Sequence, residues 1–157
     1  NLDGLTVTML GDLKNGRTVH SLSRLLTLFH ARINLVSPEM LRMPPEIMEE
    51  LAAKGVTLSE HRELEAVLPN TDVLYVTRIQ KERFADEADY LAHKDAYVIT
   101  PATLTQAKQK MIVMHPLPRV GEISMEVDDD PRAAYFRQME YGLYVRMALL
   151  AMVLGKA

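Results

Sequence analysis

The stretch Leu5 to Ser21, LTVTMLGDLKNGRTVHS, decides the fold. Leu5 to Leu10 is short, branched and apolar on both faces, as a strand buried inside a parallel sheet must be. Gly11 and Gly16 then permit a tight turn, and a helical segment follows from Thr18, so the unit reads strand, turn, helix. Glycines five apart, then a cation and a threonine, come close to the phosphate loop G-x-x-x-x-G-K-[ST], but Arg17 stands where the lysine belongs. Arginine is a different receptor. Its planar fork matches a carboxylate through two parallel hydrogen bonds, and a helix start favours an anion.

The same alternation continues down the chain. Ile33–Val36, Val56–Leu58, Val73–Val76 and Met111–Met114 read as further buried strands. Between them the spacing predicts helices over Thr18–Phe29, Pro45–Lys54, Asp86–Lys94 and Pro101–Lys110, with a short turn around Glu63–Leu68. Pro45 and Pro101 suit first-turn positions, and Thr100 suits a cap. Two closing helices are expected over Pro131–Gln138 and Tyr141–Leu154. The class is therefore α/β: one three-layer αβα domain over residues 1–157, Rossmann-like, with a doubly wound five-stranded parallel sheet in the order 3-2-1-4-5 and C-terminal helices.

Composition agrees with one domain and narrows the partners. A chain of 157 residues with 48% apolar and 25% charged residues buries one sizeable core. A net charge of -3 gives no general attraction to nucleic acid or anionic membrane, so an anion must be caught by locally placed cations. No cysteine is present, which removes disulfides and thiolate metal sites, and no signal-like start is seen; a cytoplasmic protein is expected. The apolar run Met147–Leu154 is too short to span a membrane. The opening NLDG, without an initiator methionine, is read as a cut inside a longer polypeptide.

Ligands of such a sheet sit beyond the carboxyl ends of its strands, where strand order reverses. Three polar loops fall on that edge: GDLKNGR after the first strand, TRIQKERF (Thr77–Phe84) after the fourth and HPLPR (His115–Arg119) after the fifth. With strands one and four flanking the switch point, Arg17 and Arg78 face one crevice, which defines a site for two carboxylates. Glu82, four residues after Arg78, is placed to orient it. Pro116 and Pro118 bracket Leu117 and fix its backbone so that carbonyls point at a ligand. A nucleotide site fits poorly, because Asp72 precedes its strand instead of following it and G-x-G-x-x-G is absent. His20 reads as a packed or capping residue and His115 as a loop brace; His30, His61 and His93 read as surface residues. The run Glu126–Asp130 reads as a solvated turn, and Met40, Met43 and Met48 as packing. Neither a metal nor a cofactor is implied.

GDLKNGRTVHS, TRIQKERF and HPLPRVGEI, in that order and spacing, resemble the second half of the aspartate carbamoyltransferase family over essentially the whole chain. The tail DPRAAYFRQMEYGLYVRMALLAMVLG is similar to the version fused into the eukaryotic multifunctional pyrimidine-synthesis protein. The resemblance implies that Arg17 holds the α-carboxylate of L-aspartate, that Arg78 holds its side-chain carboxylate, and that Gln80 assists. Leu117 and Pro118 would meet the carbamoyl group and the attacking amine through backbone carbonyls, with Lys14, Glu82, His115 and Pro116 in support. Pro116, where the ornithine-using sister enzymes carry a cysteine, favours aspartate. The family's carbamoyl phosphate site lies in an N-terminal domain with a Ser-Thr-Arg-Thr loop, which these residues lack, so the chain is expected to be catalytically incomplete alone. Homotrimers of full-length catalytic chains are likewise implied. A non-catalytic dicarboxylate-binding module or isolated fragment, and a nucleotide binder, stand as alternatives. The last helix, apolar nearly all round, is expected to pack one side on the sheet layer and to leave a stripe including Leu143, Met147 and Leu150 bare.

Overall fold

The computed structural model describes residues 2–156; Asn1, on which the reading of a cut rests, and Ala157 lie outside the described residues. Strands β1 (Thr6–Leu10), β2 (Arg32–Val36), β3 (Thr57–His61), β4 (Val73–Val76) and β5 (Ile112–Met114) form one sheet in the order β3-β2-β1-β4-β5. All neighbouring pairs are parallel. Every residue of the central β1 is buried, which is why its sequence shows no polar face. The polar concessions are Thr6 and Thr8; the Thr8 hydroxyl is satisfied by Thr71 at 2.6 Å and by the Asn34 amide at 3.1 Å.

Alternate strand residues feed two cores. Val7, Met9, Ile33 and Leu35 pack with Leu13, Val19 and Leu26 around helix α1 (Arg17–Leu26) and with Ile47 and Leu51 of helix α2 (Pro45–Ala53). On the other face Leu10, Val36, Leu74, Val76 and Val113 pack with Leu64, Leu68, Ile99, Leu104, Val127 and Tyr135. That is the three-layer arrangement expected. Helix α3 (Glu87–His93), capped by Asp86 accepting from the Ala88 N–H at 2.9 Å, buries no residue.

Several boundaries differ from the sequence expectation, each for a physical reason. Strand β3 runs on through Ser59, Glu60 and His61, because an edge strand that is half exposed has no need of an apolar run. His61 is accordingly half-buried, bonded to the Ser59 hydroxyl at 2.9 Å, and is not a free surface residue. Helix α4 is only Pro101–Leu104, opened by a reciprocal Thr100–Thr103 capping box. Beyond it the N–H groups of Thr105, Gln106 and Ala107 bond three residues back, and Arg132 Nη1 takes the Leu104 carbonyl at 2.7 Å. The expected Glu63–Leu68 turn is a pair of short 3-10 turns, Leu64–Ala66 and Leu68–Asn70.

The closing helices are a single helix, α5 (Tyr135–Val153). Residues 132–134 are not helical, because Val113 donates to the Arg132 carbonyl and Ala134 donates to the Val113 carbonyl, both at 2.8 Å, which makes them an extension of the sheet edge. Gly142 does not interrupt the helix, despite a cost of about 1 kcal/mol relative to alanine. The expected packing of one side of this helix on the sheet does not occur. Tyr135 is its only buried residue, since the layer beside β5 is already filled by Ile99, Leu104, Ile123 and Val127. Leu143, Met147 and Leu150 are 54%, 57% and 64% exposed, and the large apolar side chains of the opposite flank, Tyr144, Leu149 and Met152, are equally bare.

Apolar surface on that scale drives association. In sedimentation over a wide concentration range, this chain is expected to self-associate and to bind a hydrophobic dye. Replacing Leu143, Met147 and Leu150 together by glutamate should reduce both while leaving cooperative unfolding in place. A second expectation concerns Gly11, whose φ is +114° and where a Cβ would lie 2.2 Å from the Thr77 carbonyl oxygen. Gly11→Ala should cost at least about 3 kcal/mol in denaturant unfolding, from backbone strain plus overlap. Gly55→Ala, at φ +76° but with open space around it, should cost only about 1 kcal/mol.

Candidate functional site

The loop from β1 to α1 is fixed from within. Besides Gly11, Gly16 is obligatory, since a Cβ there would come 2.5 Å from the Asp12 carbonyl oxygen. Asp12 is fully buried; its Oδ1 accepts the Asn15 backbone N–H at 2.9 Å, and its two oxygens accept the Asn15 side-chain amide at 3.2 and 3.1 Å. His20 Nε2 donates to the Leu13 carbonyl at 2.8 Å, so this histidine braces the loop. Arg17 therefore emerges as the first residue of α1, exposed, beside N–H groups that carry no side-chain cap. Among the described residues no carboxylate lies within salt-bridge distance of its guanidinium.

The loop after β4 is welded to the same point. The Thr77 N–H and hydroxyl both donate to the Leu10 carbonyl, at 2.8 and 3.1 Å, and Arg78 follows directly. Arg78 Nη2 is 2.5 Å from Glu82 Oε1, the spacing the sequence suggested. Glu82 is held below its usual carboxylate range by its own backbone N–H and by Arg78. Unlike Arg17, Arg78 thus has a partner that fixes its direction.

The third wall is the loop after β5. Leu117 sits at φ +49°, a left-handed conformation unusual for a branched side chain, and the Leu117–Pro118 bond is cis. His115 is 1% exposed, and both of its ring nitrogens are engaged: Nε2 with Glu122 Oε1 at 2.7 Å and Nδ1 with the Leu117 N–H at 2.8 Å. It therefore has no lone pair to offer as a base. Glu122, 8% exposed, has its other oxygen on the N–H groups of Val120 and Gly121, at 3.1 and 3.0 Å. Burial pushes its carboxyl up, but these hydrogen bonds outweigh burial and bring it down to about 2. Arg119 grips Asp128 through two bonds of 2.5 and 2.6 Å and stacks over Tyr135. That grip holds the Asp128 carboxyl below its ordinary value.

These three loops enclose a cleft of about 300 Å³, lined by Arg17, Thr18, Thr77, Arg78, Gln80 and the run His115–Pro118. Of the residues singled out from sequence, Arg17, Arg78, Gln80, His115, Pro116, Leu117 and Pro118 meet there. Glu82 reaches it only through Arg78, and Lys14 lines a different groove of about 840 Å³. That groove is larger, and its lining sets Glu39, Glu46, Glu49 and Glu60 against Lys14 and Arg42, so its charge is net negative where the smaller cleft carries two guanidiniums. Asp72 lies at the opposite end of the sheet, accepting the Thr6 N–H and pairing with Lys108.

Sequence reasoning missed four carboxylates. Asp12 lies inside the quoted motif, and an Asp three residues before an Asn in a turn was its signal. Glu122 gave no signal beyond its nearness to HPLPR. The run Glu126–Asp130 is not merely a solvated turn: Asp128 anchors Arg119, and Asp130 anchors Arg132 through two bonds of 2.8 and 2.7 Å. Of the methionines read as packing, Met43 is buried, Met48 half-buried and Met40 exposed. Among the described residues no group of three or more His, Asp or Glu is placed to hold a metal ion, and no helix is long and apolar enough to cross a membrane.

Residues 3–153 match the family described as aspartate/ornithine carbamoyltransferase, Asp/Orn binding domain. The chain belongs to that family. Within it, the multifunctional protein pyr1-3 of Dictyostelium discoideum is 62% identical over 154 residues, covering 98% of this chain and 7% of its own length. The aspartate carbamoyltransferase catalytic subunit of Thermococcus onnurineus is 54% identical over 154 residues, covering 98% of this chain and 50% of its own. Among solved structures, aspartate transcarbamoylase from Trypanosoma cruzi in complex with aspartate and phosphate superposes with a TM-score of 0.84 at 49% identity, over 96% of this chain and 47% of that one. The chain thus spans about half the length of the catalytic chains it matches, and these carbamoyltransferases share its five-stranded parallel fold.

The buried carboxylate sets a pH test. A group whose carboxyl is lowered in the folded state stabilises above its unfolded value and loses that contribution as pH falls through the folded value. For Glu122 the window runs from about 4.5 down to about 2, and the contribution is about 3 kcal/mol. Melting of wild type and Glu122→Gln as a function of pH should show a gap that is full above pH 4.5 and closes as pH approaches 2.

Proposed function

We propose that this chain is the L-aspartate-binding half of an aspartate carbamoyltransferase, which transfers the carbamoyl group of carbamoyl phosphate to L-aspartate in de novo pyrimidine biosynthesis. The observation that carries the reading is the single cleft into which the ends of β1, β4 and β5 deliver Arg17, Arg78 and the Leu117–Pro118 backbone. Two guanidiniums from separate loops suit a small dicarboxylate. Arg17, without a carboxylate partner among the described residues and at a helix start, takes the α-carboxylate; Arg78, aimed by Glu82 and assisted by Gln80, takes the side-chain carboxylate.

Held at both ends, aspartate presents its amine to the loop at Leu117 and Pro118, whose carbonyls accept hydrogen bonds from the amine N–H groups. The nitrogen attacks the carbamoyl carbon, the bond from that carbon to the phosphate oxygen breaks, and the departing phosphate takes up the proton that the amine gives up. N-carbamoyl-L-aspartate remains. Catalysis of this kind rests on positioning and on donors for the developing oxyanion. The residues that hold carbamoyl phosphate belong to a second domain, which in this reading precedes the present one in the working polypeptide and also covers α5. The half-length match to catalytic subunits and the bare apolar surface of α5 support that view. Working chains assemble as homotrimers in the cytoplasm.

Joining this chain to a carbamoyl phosphate-binding domain should yield an enzyme that forms carbamoyl aspartate, whereas the chain alone should not turn over. In the joined enzyme Arg78→Ala should lower kcat/KM for aspartate by on the order of 10²-fold, because a charge-assisted bidentate pair is lost. Arg78→Lys should recover little of it, since a point charge cannot replace the fork. Near-normal kinetics for the alanine variant would end the assignment. If the joined protein binds aspartate and carbamoyl phosphate yet makes no product, the chain is a binding module and not half an enzyme.

A further inference from the structure

His115 and Glu122 close the eight-residue loop after β5 from inside, and every polar atom of the closure is used. A backbone N–H can only donate, so the 2.8 Å contact from Leu117 makes His115 Nδ1 an acceptor without a proton. The ring's proton is then on Nε2, where it is donated to Glu122 Oε1 at 2.7 Å. The second carboxylate oxygen gathers the N–H groups of Val120 and Gly121, and the His115 N–H donates to Gln138 Oε1 at 3.0 Å. Leu117, at φ +49°, lies between these anchors. A conformation of that kind persists only where its surroundings over-determine it.

We propose that Glu122 is a positioning residue for the substrate loop. Through the His115 imidazole it fixes the backbone of Leu117 and Pro118 where they line the cleft, although Glu122 itself does not line it. The inference rests on the reading of the cleft as an aspartate site, and it adds a residue that reading does not use. It also explains why the pair is buried. A carboxylate this deep would be expensive without three donors, and all three are supplied by the loop it organises. Glutamine cannot substitute. Its single oxygen can serve the imidazole or the two N–H groups, and its NH₂ must then face donors on the other side. If the imidazole turns to its other tautomer to accept from that NH₂, its Nδ1–H meets the Leu117 N–H, and the loop is released at that point instead.

The test uses the longer enzyme in which this domain is joined to its carbamoyl phosphate-binding domain. Glu122→Gln should lower kcat by about tenfold to a hundredfold, the cost of misplacing a positioning group by a fraction of an ångström or more. KM for aspartate should stay within about threefold, because Arg17 and Arg78 are untouched. Adding His115→Gln should cost little beyond the single change if the two side chains act as one unit. A lower melting temperature with unchanged kcat per folded molecule would mean a structural role only, and the proposal would fall. Independently, nitrogen-15 NMR of the isotopically labelled wild-type protein should show the His115 proton on Nε2 and an unprotonated Nδ1 coupled across a hydrogen bond to the Leu117 amide. A proton on Nδ1 would overturn the strut outright. Should the wild-type enzyme make no carbamoyl aspartate, the functional reading fails separately, and the ring-nitrogen measurement still decides whether the strut exists.

Discussion

The contact between Gly11 and Thr77 governs the rest of the site. Thr77 donates twice to the Leu10 carbonyl, and its own carbonyl lies where a side chain at position 11 would be. Strands β1 and β4 are sequentially remote, but at their carboxyl ends they come within backbone contact. The two chains then diverge, one into α1 and one into the Arg78 segment, and the opening between them is the cleft. Move these ends apart by the width of a methyl group and the two guanidiniums no longer address one small molecule. The topology puts β1 beside β4; the missing side chain sets the distance.

Much of this was legible in the sequence because it is encoded locally. Strands buried on both faces show up as apolar runs, and a central strand such as β1 permits little else. The arginines were legible too, since strand-end loops on one edge of a doubly wound sheet converge whatever their separation in sequence. What was not legible depends on long-range competition for backbone groups. Residues 132–134 look helical until Val113 claims their N–H and carbonyl groups, and Pro101–Lys110 looks like a full helix until Arg132 takes the Leu104 carbonyl. Glu122 and Asp128 gave no periodicity signal, because a buried carboxylate in a loop is defined by its partners and not by its spacing. The reach of α5 was misjudged for the opposite reason: a uniformly apolar helix announces burial without saying against what.

The charges divide by task. A chain with a net charge of -3 presents a cationic cleft because its other guanidiniums near the loops are already committed: Arg119 to Asp128, Arg132 to Asp130, and Arg42 to Glu39 and Glu60. Those pairs shape loops and cancel locally. Arg78 is held by one exposed carboxylate, and Arg17 has no carboxylate partner among the described residues. Opposite them stands the HPLP loop, which carries no carboxylate or guanidinium; in the proposed reading, recognition by charge and recognition by carbonyl come from different walls.

Gln138 gives the long helix a hold on that second wall. It lies in the first turns of α5, and its side chain accepts the N–H of His115, the residue on which the loop after β5 is built. Tyr135, one turn earlier, is the only part of the helix sunk into the core. Beyond Gln138 the helix runs on for about 22 Å at 1.5 Å per residue with no further buried residue, so its buried side chain and its hydrogen bond to the loop after β5 lie together at one end. Whatever covers the bare length of the helix therefore docks on an element whose root is tied to the wall of the cleft.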